Sequence, residues 1–256
     1  MNKELVINAS AQGVQIALLE DKKLAELHNE KTDASFGVGD LYLGKVKKLI
    51  PGLNAAFVDV GFEKDAFLHY TDLSPFCKSL LKFTQMSINT PVESQPDFSQ
   101  FTVEPEILKT GKINEVLGQK PNILVQILKE PIAAKGPRLS CEISLPGRFV
   151  VITPFNDIIA VSRKIHSGEE RKRLQKIIEA IKPKNFGVIV RTVAEGKNVA
   201  ELEKDLQNLM NRWTAMCKKL PTAHHPSKIL GELNKASSIL RDVFNDTFTS
   251  IQIDDE

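Results

Sequence analysis

Phe57 and Phe67 stand in the stretch NAAFVDVGFEKDAFLHY, residues 54–70, where apolar and polar positions alternate on both sides of a short glycine-bearing loop. An aromatic face exposed beside lysines stacks a base of any identity, for about 1–3 kcal/mol per base, while ammonium groups follow the phosphates. Lys45, Lys47 and Lys48 on the preceding segment, and Lys129 and Lys135 on a later one, supply such cations. The same alternation is satisfied if both phenylalanines turn inward with Val58 or Leu68 as core. Spacing alone leaves both readings open. A second group is VRTVAEG, 190–196, an arginine and a threonine directly after an apolar run. A guanidinium fork beside a hydroxyl and main-chain N–H groups suits one terminal phosphate, a compact set of acceptor oxygens. The plainer reading is a surface ion pair of Arg191 with Glu195.

Bond cleavage asks for convergent groups: a nucleophile with its base, paired carboxylates, or three metal ligands. His224 and His225 are adjacent and have no acidic or cysteine ligand at helical spacing. Asp254, Asp255 and Glu256 form a carboxylate run where solvation is the plain expectation. Neither a Walker loop nor G-x-G-x-x-G occurs. No catalytic and no metal-ligating residue is therefore named in this chain.

With 34 basic against 32 acidic side chains, net +2, any polyanion-binding surface must be local. Between Arg163 and Lys184 there are eight basic and three acidic residues, which a solvated helix face also explains. Three cysteines, Cys77, Cys141 and Cys217, make neither a disulfide framework nor a C-x-x-C knuckle, and point to a reducing compartment. The opening MNKELVINAS lacks a signal-peptide core, and no stretch approaches the roughly 18 apolar residues of a membrane span, so a cytoplasmic protein is expected.

These groups need elements to hold them. ELVINAS, VQIALLE and KLAELHNE read as a three-stranded antiparallel meander, too small to stand without a covering layer. LYLGKVKKLI, NAAFVDV, DAFLHY and NILVQILKE are short strands with turns at Pro51-Gly52 and Gly61–Lys64, the pattern of a small five-stranded barrel. Between them, about 77–112, a stretch mixing Ser, Thr, Gln and Pro predicts a long mobile insertion. Next come RFVVITP and DIIAVSR as a strand pair, a helix opened by Ser167 with Glu170 as a capping box, and the buried strand FGVIVRT. Leu202, Leu206, Leu209, Trp213, Met216 and Leu220 mark one apolar face of a helix at about 198–219. After PTAHHPS a helix carrying Ile229, Leu230, Leu233, Ile239, Leu240, Val243 and Phe244 is expected, then the strand FTSIQI. That tail would cover the N-terminal meander, making a domain split in sequence.

ELVINAS, LYLGKVKKLIPGLNAAFVDVGFEKDAFLH, AAKGPRLSCEISLPGRFVVITP, VSRKI and VIVRTVAEG, in this order, resemble the N-terminal half of the ribonuclease E/G family, on its ribonuclease G side. The resemblance covers nearly the whole chain outside the insertion. It implies an α+β multidomain fold: a split ribonuclease H-like domain (1–37 and 223–256), an S1 RNA-binding barrel of the OB-fold type (38–141), and an α+β 5′-sensor domain (142–222). It further implies that Phe57, Phe67 and Lys135, with Lys45 and Lys129 beside them, bind RNA, leaving Val58 and Leu68 to the core. The 5′ monophosphate would be held by Arg191, Thr192 and main-chain groups near Gly147 and Val151. The implied partner is single-stranded RNA with a 5′ monophosphate, in rRNA processing and mRNA decay, with a homo-oligomer for the full-length protein. Cleavage in that family is the work of a DNase I-like subdomain whose D-x-N-x-G aspartates hold Mg²⁺. Neither D-x-N-x-G nor the zinc-binding C-P-x-C link occurs here. The expectation is a piece of a longer protein, inactive alone, with Mg²⁺ bound only by the full-length enzyme; the alternative is a freestanding, non-catalytic RNA-binding or regulatory protein.

Overall fold

The structure, a computed structural model, describes residues 2–10, 13–31, 36–94, 97–232, 235–243 and 248–254. The chain divides into two units, one made of Met1–Ser35 with Leu233–Glu256 and the other of Phe36–Glu232.

In the first unit β1 (Lys3–Ser10), β2 (Gly13–Glu20) and β3 (Lys23–Lys31) form the expected antiparallel meander. Alternation sends Leu5, Ile7, Ile16 and Leu18 to one face, where Ile239 of helix α5 (Lys235–Val243) covers them. Strand β14 (Phe248–Ile253) joins β1 in parallel, so both chain ends build one sheet, in the order β14-β1-β2-β3. Ile229 and Leu230 are not on that helix. They lie in strand β13 (Ser227–Leu230), which belongs to the second unit and pairs antiparallel with Leu41–Leu43 there, because Pro226 and Gly231 leave only a four-residue run, too short for a helix. Leu233 and Phe244 fall outside the described residues.

The second unit opens with a barrel. Strands β4 (Leu41–Ile50), β5 (Ala55–Asp59), β6 (Ala66–His69), β7 (Asn122–Lys129) and β8 (Arg138–Ser140) run in the order β4-β5-β6-β8-β7, and β7 pairs back to β4. This closed five-stranded barrel is consistent with an OB-fold. Gly44 lets the wall bend: a Cβ there would lie 2.8 Å from Val58 Cγ1 and 2.9 Å from Asp59 O.

The 77–112 segment is not a mobile loop. It contains α1 (Cys77–Asn89), and its rings enter the core: Phe83 lies 5.2 Å from Phe98, 5.7 Å from Phe101 and 5.7 Å from Trp213. Buried Asn185 donates to Phe98 O (2.9 Å) and Phe101 O (2.8 Å), fastening the segment from the far side. Its helical period is hidden by buried hydroxyls, Ser79 accepting from Glu104 N–H and Thr84 donating to Leu80 O. The short α2 (Ile113–Leu117) then leads into β7.

A third sheet holds β9 (Leu145–Pro146), β10 (Val150–Pro154), β11 (Ile159–Val161) and β12 (Phe186–Val190) in the order β11-β12-β10-β9. The strands expected as a pair, β10 and β11, flank β12 instead. After β11 the chain crosses over through α3 (Gly168–Ile181) and returns as β12 parallel to it, the connection a parallel neighbour requires. Helix α4 (Val199–Lys219) buries Leu202, Leu206, Leu209, Trp213 and Met216 as its period predicts. Barrel, insertion and third sheet share one hydrophobic core.

Candidate nucleic-acid interface

Along β5 and β6 the alternation resolves. Ala56, Val58, Ala66 and Leu68 are fully buried, whereas Phe57 and Phe67 are half-buried and turned outward as a cross-strand pair, ring centroids 6.1 Å apart. Neither phenylalanine is core. The register extends this pair into a row across all five strands: Lys48 opposite Phe57, Phe57 opposite Phe67, Phe67 opposite Arg138, Arg138 opposite Lys129. Four strand spacings make that row roughly 19 Å long. Both end lysines owe their outward aim to β-bulges, one between Val46 and Lys48 and one between Ile127 and Lys129, each shifting the pairing so that the lysine leaves the face of its buried neighbour. Arg138 is fixed by two hydrogen bonds to Asp72 (2.8 and 3.1 Å). Beside Phe67, His69 lies with its ring inclined 26° at 6.4 Å and its Nδ1 accepting from Thr71 N–H.

The expected cations distribute unequally. Lys45 is opposite Asp59 on the same outward face. Lys47 is spent on Asp59 and Asp65, at 3.1 Å each, and these contacts raise its pKa. Lys129 is exposed at the end of the row. Lys135 is not on the last strand but in the turn bridged by Ile132 and Lys135, two residues before Pro137, whose carbonyl accepts from Phe67 N–H at 2.8 Å. Register places Lys48, already a candidate by its position, directly opposite Phe57 and adds Arg138, while His69 stands beside the row, opposite Ala55 and next to Phe67; the places of Arg138 and His69 are not revealed by spacing.

The second group forms where β12 ends. Arg191 N–H donates to Phe149 O (2.8 Å) and Arg191 Nη1 to Gly147 O (2.7 Å), which brings Arg191 against the β9–β10 turn. The Thr192 hydroxyl meets that of Ser162 at 2.9 Å. Val151, opposite Ile189 in the register, shares the sheet face of Arg191. The N–H groups of this turn already have acceptors: Gly147 donates to Val150 O, and Arg148, Phe149 and Val150 donate to Asp205. Gly147 thus offers its carbonyl to Arg191. Cationic groups gather here, with Arg148 and Lys197 over the Phe149 ring at 5.3 and 5.6 Å and Arg171 Nη1 3.4 Å from Ser162 O.

Ser167 caps α3 by accepting from Glu170 N–H (3.2 Å), but the Glu170 side chain faces forward. It takes both arms of Arg173 at 2.7 Å and the N–H of Gly196 at 2.8 Å, pinning the turn that follows Thr192. The Arg173 guanidinium, helped by Gly196, holds the Glu170 carboxyl down at about 2.

Among the described residues no group of three or more His, Cys, Asp or Glu could hold a metal ion, and His224 and His225 are exposed. Asp254 extends β14, its N–H donating to Ile7 O at 3.2 Å, while Asp255 and Glu256 are outside the described residues. The three cysteines are free thiols. The Cys77 thiol beside Cys141, together with burial, pushes Cys141 well up, and burial pushes Cys217 up to about 12, so neither is a nucleophile at neutral pH. No helix among the described residues is long and apolar enough to cross a membrane.

Residues 144–256 match the model of the "Ribonuclease E/G family". The chain is 33% identical over 254 residues to ribonuclease G of Escherichia coli K12, which covers 99% of this chain and 48% of the relative. Ribonuclease G of Haemophilus influenzae is 34% identical over 251 residues, 98% of this chain and 47% of the relative, and ribonuclease E of a Nostoc species 32% over 248 residues, 94% and 32%. The chain spans about half the length of the ribonuclease G relatives that it matches.

Proposed function

The chain belongs to the ribonuclease E/G family, and from that premise we propose that it is the RNA-binding and 5′-end-sensing part of a single-strand-specific endoribonuclease acting in RNA processing and decay. The observation that carries this reading is the outward row Lys48, Phe57, Phe67, Arg138 and Lys129, an aromatic pair on a barrel wall with an exposed lysine at each end, Arg138 being paired with Asp72. Single-stranded nucleic acid exposes both bases and phosphates, and such a surface answers both, by stacking and by charge. Lys45 and Lys135 flank the row, and His69 adds a third ring.

The pocket at Arg191, Thr192 and Ser162 would take the terminal monophosphate. Arg191 presents a guanidinium whose orientation Gly147 O sets, and the hydrogen-bonded Ser162–Thr192 hydroxyl pair leaves one O–H to donate to the phosphate. The barrel would be the S1 domain, the third sheet with α3 and α4 the 5′ sensor, and the unit of both chain ends the ribonuclease H-like part. Two weak contacts on one compact unit add affinity by raising the local concentration of the second once the first is made.

No hydrolytic step is assigned to the described residues, among which no group of three or more His, Cys, Asp or Glu gathers to hold a metal ion. In this reading Mg²⁺-dependent cleavage, in the cytoplasm, is supplied by a further part of a longer protein. Binding of short single-stranded RNAs that differ only at the 5′ end tests the proposal. A 5′-monophosphorylated RNA is expected to bind about tenfold more tightly than its 5′-hydroxyl counterpart, one charge-assisted contact's worth. Equal affinities would remove the sensor, and Mg²⁺-dependent cleavage by this chain alone would overturn the division of labour.

A further inference from the structure

On α4, Asp205 receives three consecutive main-chain N–H groups: Arg148 on Oδ1 at 3.1 Å, and Phe149 and Val150 on Oδ2 at 2.7 and 3.1 Å. Successive N–H groups converging on one point make an anion cradle, and here the anion is the protein's own carboxylate. Gly147 is shaped to the same end. A Cβ on it would lie 2.5 Å from Asp205 Oδ2 and 2.8 Å from Oδ1, so any side chain would push the carboxylate out.

The turn held in this way is the one that holds Arg191. Gly147 O accepts from Arg191 Nη1 and Phe149 O from Arg191 N–H, so both the guanidinium and the main chain of Arg191 are referenced to the segment that Asp205 clasps. We propose that Asp205 is the positioning residue of the terminal-phosphate pocket. It fixes the Gly147 carbonyl that aims the guanidinium. It also fills the cradle of the turn, so that an arriving phosphate is directed to Arg191 and the Thr192 hydroxyl and not to the N–H groups of 148–150. The inference rests on the reading of Arg191 and Thr192 as that pocket.

The test compares a 5′-monophosphorylated with a 5′-hydroxyl single-stranded RNA of one sequence on the unaltered chain, on Asp205→Asn and on Gly147→Ala. Asparagine keeps the shape but turns one acceptor oxygen into a donor. Alanine displaces the carboxylate from the backbone side. In both variants the affinity ratio of the two RNAs is expected to fall about tenfold, toward one, the scale of a misaimed charge-assisted contact. A merely structural residue would weaken both RNAs equally and keep the ratio, and that result overturns the proposal. So does an unchanged ratio in Asp205→Asn, which leaves the pocket itself standing, whereas a ratio of one in the unaltered chain removes pocket and proposal together. Should Asp205→Asn fail to fold, Gly147→Ala decides by the same ratio.

Discussion

Phe57 and Phe67 leave part of each ring in water on strands whose alternate residues are sealed inside the barrel. Truncating them therefore removes little buried area but all of the stacking surface. Replacing both by alanine is expected to weaken single-stranded RNA binding by about 30-fold or more, at about 1–3 kcal/mol for each of two stacked bases, with little change in the thermal midpoint. A collapse of the midpoint would return them to the core. Glu170 is the residue whose charge matters to the pocket's frame. Its carboxyl titrates at about 2 when folded against an ordinary 4.5, so the charged form stabilises the fold above that ordinary value and the stabilisation is lost as pH falls from 4.5 through 2. Screening at this partly exposed pair limits the effect to about 1 kcal/mol. Denaturant midpoints measured between those pH values should fall less steeply in Glu170→Gln than in the unaltered chain.

At the scale of elements, the two bulges of the barrel decide which cations reach the outer face. Val46 and Lys48 have the same parity in the sequence, as do Ile127 and Lys129, yet each pair splits between core and solvent. Lys48 is thus delivered beside Phe57, while Lys47 is held by Asp59 and Asp65. The salt dependence of RNA binding reads this difference. Lys48→Ala should lower the slope of log affinity against log salt by about 0.7, one phosphate contact on a single strand, and Lys47→Ala should leave it nearly unchanged. Equal slopes for the two variants would remove the row as the phosphate track.

Across the whole molecule, the barrel and the phosphate pocket are parts of one unit, Phe36–Glu232, with one core. Phe83 of the insertion lies against Phe155 and Trp213 from the pocket's side of that unit, both rings at 5.7 Å. Phe83→Ala should cost about 3–5 kcal/mol and lower the same cooperative transition that Leu174→Ala on α3 lowers, as followed by calorimetry. Separate transitions for the two variants would mean that insertion and sensor do not share a core. The unit of both chain ends has its own small cluster, Leu5, Ile7, Ile16, Leu18 and Ile239.

Local pattern determined much of this protein. The meander, the barrel strands, the cap at Ser167 and the apolar face of α4 follow from period and turn chemistry, which act between residues a few positions apart. The split of one unit between the chain ends was legible because neither end carries enough apolar surface to bury its own face. Tertiary structure alone decided the rest. The outward aim of Phe57 and Phe67 depends on which face the barrel closes over, since alternation fits either choice. The order of β10 and β11 about β12 depends on pairings such as Val150 with Val190 and Ile159 with Val188, and the burial of the 77–112 segment on distant partners such as Phe83 with Phe155 and Trp213. Lys48, Arg138 and Lys129 join one row, and Asp205 meets Arg148 to Val150, because register, bulges and packing bring together residues that spacing keeps apart.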